Sequence, residues 1–219
     1  MAINQELKEL QKEVTRNRIL ETGFRVFAEK AIDKVTMNDV AEAAGVGVAT
    51  VYRYFSTKPA LVLGVHTWAW ERYLRQTIGR MGTEELPPAA AYEFFLDAFL
   101  DLYRNHRDLL RFNQFFNVWV EHEALPREIL RPFISLAEEL GKRIHRVYVR
   151  GLEDGTFRAD TPERELYFST LHLMLAAVTR YAVGLVYEGG ADPEQELLLL
   201  KKMLLREFTA NENLHKQEK

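Results

Sequence analysis

Apolar side chains fall three and four residues apart over most of the chain. Ile19, Leu20, Gly23, Phe24, Val26 and Phe27 keep helical spacing and predict a first helix from about Thr15 to Lys30. Ile3, Leu7, Leu10 and Val14 carry a similar stripe backwards, so the N-terminal arm reads as a helical extension. Two short segments follow: Thr36 stands as N-cap of a helix ending at Gly45, and a second helix runs from about Val48 to Phe55. Ser56-Thr57-Lys58-Pro59 restarts the chain, with proline near the first position of a helix reaching about Gly79. Beyond Gly82 and the Pro87-Pro88 pair, periodic segments lie at about 89–105, 107–120 and 126–151. The last two, at about 162–188 and 193–209, are parted by Glu188-Gly189-Gly190-Ala191-Asp192-Pro193.

The 12 glycines and 7 prolines cluster at these breaks instead of recurring every few residues as they would between strands. The expected fold is therefore all-α, with about nine helices. Short helices with tight turns make a first domain over residues 1–61, and long helices make a second over 62–219. With 219 residues, 47% of them hydrophobic and 28% charged, the chain can bury a core without staples. It has no cysteine, which excludes disulfides, thiol catalysis and Cys-ligated zinc. A net charge of −3 excludes a general positive field, so any nucleic-acid contact must come from a local surface. Leu166 to Tyr187 is long enough to cross a bilayer but holds His172 and Arg180, and it reads as a buried helix instead. The charged opening residues do not resemble a secretion signal.

The informative stretch runs from Thr36 to Phe55. Val40, Ala41 and Ala44 form one apolar face, Gly45 permits a left-handed turn, and Val46 and Val51 can pack at the joint. Two helices held at a steep angle result, a helix-turn-helix. The second helix offers Val48, Ala49, Thr50, Arg53 and two tyrosines, small enough at its start to enter a major groove and polar enough beyond to bond phosphates.

Ile19-Leu20 with Phe27, Thr36 through Gly45-Val46, Thr50-Val51-Tyr52-Arg53-Tyr54-Phe55, and Lys58 with Leu61 together resemble the DNA-binding domain of TetR-family transcriptional regulators. The resemblance covers about 50 residues in order and spacing; the rest matches only in helical layout. It implies base-edge contacts from Asn38, Gly47, Val48, Ala49, Thr50 and Arg53. It implies phosphate contacts from Thr36, Tyr52, Tyr54 and Lys58, while Phe55 reads as core. It also implies a cytoplasmic homodimer on a near-palindromic double-stranded operator, most often a repressor released by a small-molecule effector, with no cofactor or metal. Two residues depart from the family pattern: Ala31 stands where a glycine usually ends the first helix, and Gly23 replaces a usual alanine.

The long helices carry two further expectations. In Glu196 to Phe208 the apolar surface exceeds one stripe, so a dimer interface is expected around Leu197, Leu200, Leu204 and Phe208, joined by Ala176, Ala177, Ala182 and Gly184 of the preceding helix. Phe94, Phe95, Phe99, Tyr103, Phe112, Phe115, Phe116 and Trp119 concentrate aromatics that either line a cavity for an apolar or aromatic effector or fill a core. Asn113, Gln114, Asn117, His172 and Thr179 are the polar groups that would orient such a ligand. The competing function is an all-helical small-molecule-binding protein or enzyme whose helix-turn-helix is only structural. Glu121-His122-Glu123 points to different sides of a helix, and the single Glu212/His215 pair lacks the second pair and further carboxylates of a di-iron site. Gly45-x-Gly47 lacks the strand and third glycine of a dinucleotide loop.

Overall fold

A computed structural model describes residues 2–78, 86–123, 125, 128–186, 189, 190 and 192–210. Gly79, Gly82, Tyr187, Glu188 and the Glu212/His215 pair lie outside the described residues. Within them the chain forms nine α-helices: α1 (Ala2–Glu29), α2 (Met37–Ala43), α3 (Val48–Tyr54), α4 (Lys58–Ile78), α5 (Pro88–Asn105), α6 (Arg107–Glu123), α7 (Arg131–Glu153), α8 (Glu163–Ala182) and α9 (Pro193–Phe208). The arm is indeed helical, as one continuous α1. Two predicted helices are shorter than expected. The helix predicted at 126–151 starts at Arg131, and α8 stops at Ala182 because Gly184 takes a φ of 78°. There Gly184 N–H donates to Tyr181 O and Leu185 N–H to Arg180 O, a left-handed helix end. Gly184 is thus a terminator, not the close-packing residue expected of it.

The chain packs as two units. One comprises the residues up to Tyr73 together with Arg111–Leu136; the other comprises Leu74–Leu110 together with the residues from Ala137 onward. This division cuts across the boundary drawn at residue 61, because most of α4 and α6 build the core beneath α1–α3. Ile19, Leu20 and Phe27 of α1, Val40 of α2, Val51 of α3, Leu61, Val62 and Val65 of α4, and Phe112 and Phe116 of α6 are almost wholly buried. Phe112 meets Phe24 edge-on at 5.7 Å and stacks on Phe27 at 6.2 Å. Gly23 is explained by this packing: a Cβ there would lie 2.9 Å from Val65 Cγ2, so alanine does not fit between α1 and α4. Ala31 has φ −53° and ψ 136°, so the left-handed cap usual for the family is absent.

In the second unit α5 packs against α8 and α9, and α8 against α9. The buried Tyr92 hydroxyl and Thr170 Oγ1 are 2.7 Å apart, tying α5 to α8. Lys201 on α9 lies 2.6 Å from Asp97 and 2.8 Å from Glu93 on α5, a half-buried cation shared by two carboxylates. Asp192 caps α9 by accepting from Glu194 N–H, ahead of Pro193.

Candidate nucleic-acid interface

Local chemistry sets the two helices of the motif. Thr36 Oγ1 accepts from Asp39 N–H at 3.2 Å, while Asp39 Oδ2 accepts from Thr36 N–H at 2.7 Å, closing a capping box on α2. These bonds hold the Asp39 carboxyl below the usual carboxylate range. At the other end Gly45, at φ 62°, donates to Glu42 O, and Val46 N–H donates to Ala41 O, so the chain reverses within two residues. Val51 then seats α3 by complete burial, and Phe55 is buried at its end, as core. The other side of α3 is left to solvent: Gly47, Val48, Ala49, Tyr52 and Arg53 are exposed and Thr50 is half-buried. Tyr52 keeps 50% of its surface exposed, a large amphipathic ring half open to solvent.

The flanking candidates stand at the start of α2 and just beyond the exposed part of α3. Asn38 and Thr36 are exposed at the start of α2, and Tyr54 and Lys58 are half-buried beyond α3. The Arg53 guanidinium lies 5.5 Å from the Tyr54 ring centre, and Lys58 Nζ is 3.5 Å from Asp33 O. Thr36 differs from the others in that its hydroxyl also donates to Asp39, at 2.7 Å, so a phosphate would compete with the cap. All ten sequence-selected residues thus lie between Thr36 and Lys58, with the Thr36 hydroxyl and the Lys58 ammonium already bonded within the chain.

Comparison with known proteins addresses the same segment. Residues 19–65 match the model of the tetR family of bacterial regulatory proteins. The helix-turn-helix segment of this chain is thus of the TetR type. Over 153 residues it is 24% identical to the HTH-type transcriptional repressor KstR2 of Mycobacterium tuberculosis, covering 66% of this chain and 70% of KstR2. Over 187 residues it is 24% identical to the uncharacterized HTH-type transcriptional regulator YerO of Bacillus subtilis, covering 83% of this chain but only 59% of YerO. In fold it resembles a TetR transcription regulator of Haloarcula marismortui, with TM-score 0.73 and 19% identity over 90% of this chain and 99% of the other. Over that span the helices of the chain therefore share that regulator's fold.

The remaining candidates divide between the two units. Phe95, Phe99 and Tyr103 are buried in the second, where Phe95 meets Phe99 at 5.2 Å and stacks on Tyr167 at 6.5 Å. Phe112, Phe116 and Trp119 are buried in the first, each ring within 6.3 Å of the next. Phe115 is half-buried and Asn117 exposed. The aromatics expected to act as one group thus serve two cores. Sequence proximity put them together, but α6 turns its rings toward α1 and α4. His172 is exposed on α8, 5.8 Å from the Phe168 ring.

Sequence reasoning passed over His66. It is fully buried on α4, stacks on Phe116 at 3.8 Å and faces Asn113 Oδ1 across 3.4 Å, while Trp70 Nε1 donates to the same oxygen at 3.3 Å. Burial lowers its pKa to about 3, so the ring is neutral. Its one sequence signal was a polar residue amid the apolar positions of α4. Asn113, expected to orient a ligand, is occupied by this network.

The expected dimer residues are corrected in part. Leu197, Leu204 and Phe208 are buried in their own protomer, Leu200 and Ala177 are half-buried, and Ala176 is exposed. At 3.6 residues per turn, 197, 200, 204 and 208 share the side of α9 that meets α5 and α8. The apolar residues left outside are Leu198, Leu199 and Met203 on α9, with Phe168 and Leu173 on α8. Among the described residues no helix is long and apolar enough to cross a membrane, and no group of three His, Asp or Glu is placed to hold a metal ion.

Proposed function

We propose that this TetR-family chain is a cytoplasmic, homodimeric repressor that binds a near-palindromic operator and is released by a small apolar or aromatic effector. The observation that carries the reading is the contrast across α3: a fully buried Val51 on one side, and small side chains flanked by hydroxyls and cations on the other. Val48, Ala49 and Gly47 let the helix backbone approach base edges, with Thr50, Arg53 and Asn38 supplying polar contacts. Tyr52, Tyr54, Lys58 and Thr36 fix the register on phosphates. Residues 1–61 supply this DNA-reading domain, and 62–219 the effector and dimer functions. KstR2 of Mycobacterium tuberculosis is a ketosteroid transcriptional regulator, and the likeness supports an apolar effector here.

One recognition helix makes few contacts, so two must add. Exposed Leu198, Leu199, Met203, Phe168, Leu173 and Ala176 form the surface we assign to the second protomer. The two recognition helices then need a separation of about 34–36 Å, or a multiple of a helical turn. The effector releases DNA only by binding the non-operator arrangement more tightly, since equal affinity for both shifts nothing. The test is to incubate the purified protein with fragmented genomic DNA at physiological salt and sequence what it retains. An enriched near-palindrome supports the reading. No enrichment from protein free of bound ligand, or a tightly held metal or cofactor in its place, favours the helical binding protein or enzyme.

A further inference from the structure

The N-terminal half of α1 plays no part in the interface above. Residues 5–18 are exposed apart from half-buried Thr15, so this length of helix stands clear of the core. Along it Leu7, Leu10 and Val14 are 53%, 57% and 62% exposed, and the sequence puts Ile3 in the same register. Spacings of four, three and four are those of an a/d seam over two heptads. The seam does not continue the buried stripe of α1, contrary to the reading from sequence alone. With 3.6 residues per turn it lies roughly half a turn away from Ile19, Gly23 and Phe27. The same solvent side further along carries Arg18, Glu21 and Arg25, all exposed. That side of α1 is apolar only where the helix stands free.

The charges beside the seam identify what covers it. With Leu7 and Val14 at a and Leu10 at d, Glu6 and Glu13 occupy g, and Gln11 and Arg18 occupy e. In a parallel pair of identical arms each g residue meets the e residue five positions on in its partner. Glu13 then faces Arg18 on both sides of the seam, and Glu6 faces Gln11. An antiparallel pair sets Glu6 against Glu13. The arm is therefore complementary to itself in one orientation. We propose that residues 3–18 of two copies of the chain pair as a short parallel coiled coil. The proposal is independent of the operator reading and of the α8–α9 surface. Two heptads hold weakly alone, and any other association between the same two chains strengthens them through effective concentration.

Because the chain has no cysteine, single cysteines report on this pairing in the full-length protein. Under mild oxidation Leu10→Cys should form a covalent two-chain species at least about tenfold faster than Lys12→Cys, whose position faces away from the seam. Adding Glu13→Arg to Leu10→Cys should slow cross-linking, and adding Arg18→Glu as well should restore it. All substitutions sit at exposed positions, so circular dichroism and Tm serve as folding controls. Equal rates for Leu10→Cys and Lys12→Cys would overturn the proposal. So would failure of the double charge swap to restore cross-linking, or preferential linking of Leu7→Cys to Leu10→Cys in a mixture, which marks an antiparallel pair.

Discussion

Helices α3 and α9 are both seated by completely buried residues, Val51 in one and Leu197 in the other, yet they differ in what they leave outside. Outside α3 are glycine, alanine, a small valine, an arginine and a tyrosine; outside α9 are Leu199 and Met203, each more than half exposed. Water tolerates the first surface well, and it suits a polar, charged ligand that demands close approach. The second costs free energy until another apolar surface covers it. The same rule of one buried side thus gives the surface proposed for nucleic acid in one region and the surface proposed for a second protomer in the other.

The largest test of this contrast lies in the cores behind the two surfaces. Phe112→Ala should cost about 3–5 kcal/mol, as removal of a fully buried ring does, read by urea denaturation. A loss near zero would mean that the ring lines a space rather than filling a core. His66 gives the next effect. Its folded pKa of about 3 lies below the unfolded value of 6.5, so the unfolded state binds the proton between those values. The contribution of a neutral His66 is complete above about pH 6.5 and falls as pH drops toward 3, by up to about 1.4 kcal/mol per pH unit. His66→Phe should flatten that slope in denaturation curves between pH 7 and 4.5.

Gly23→Ala sets a helix-propensity gain of about 1 kcal/mol against an overpacking cost of about 1–3 kcal/mol, so a net loss near 1 kcal/mol is expected. In a Val65→Ala background the loss caused by Gly23→Ala should shrink, since the clash is with Val65 Cγ2. The smallest effects on folding belong to the surface. Tyr52→Phe and Lys58→Ala should leave the unfolding free energy within about 0.5 kcal/mol while weakening operator binding. Lys58→Ala should also reduce the salt slope of binding by about one counterion. Unchanged affinity in both variants would remove these residues from the interface.

The motif was legible in the sequence because its signals are local. A capping Thr36, Gly45 at the turn and a buried Val51 each act within a few residues, and each stands where the spacing put it. The phase of apolar stripes was less legible. Periodicity shows that α9 has several apolar sides without saying which one meets α5, so Leu197, Leu204 and Phe208 were assigned outward when they face inward. The arm of α1 shows the same ambiguity: Leu7, Leu10 and Val14 keep helical spacing but lie across the helix from the core stripe. The aromatics of α5 and α6 follow one another in sequence, and only the fold shows that Phe99 and Phe112 enter different cores. His66 was invisible for a related reason, since its partner Asn113 lies 47 residues away.

The central claim is that the outer face of α3 reads DNA sequence. It is tested most directly by selecting bound sequences from random duplexes at physiological salt with the unaltered protein and with Arg53→Ala. The account predicts a two-part site with symmetric half-sites from the unaltered chain. The variant should keep the same half-site spacing and lose preference at one position in each half. Identical sites from both proteins, or no site from either, would contradict it.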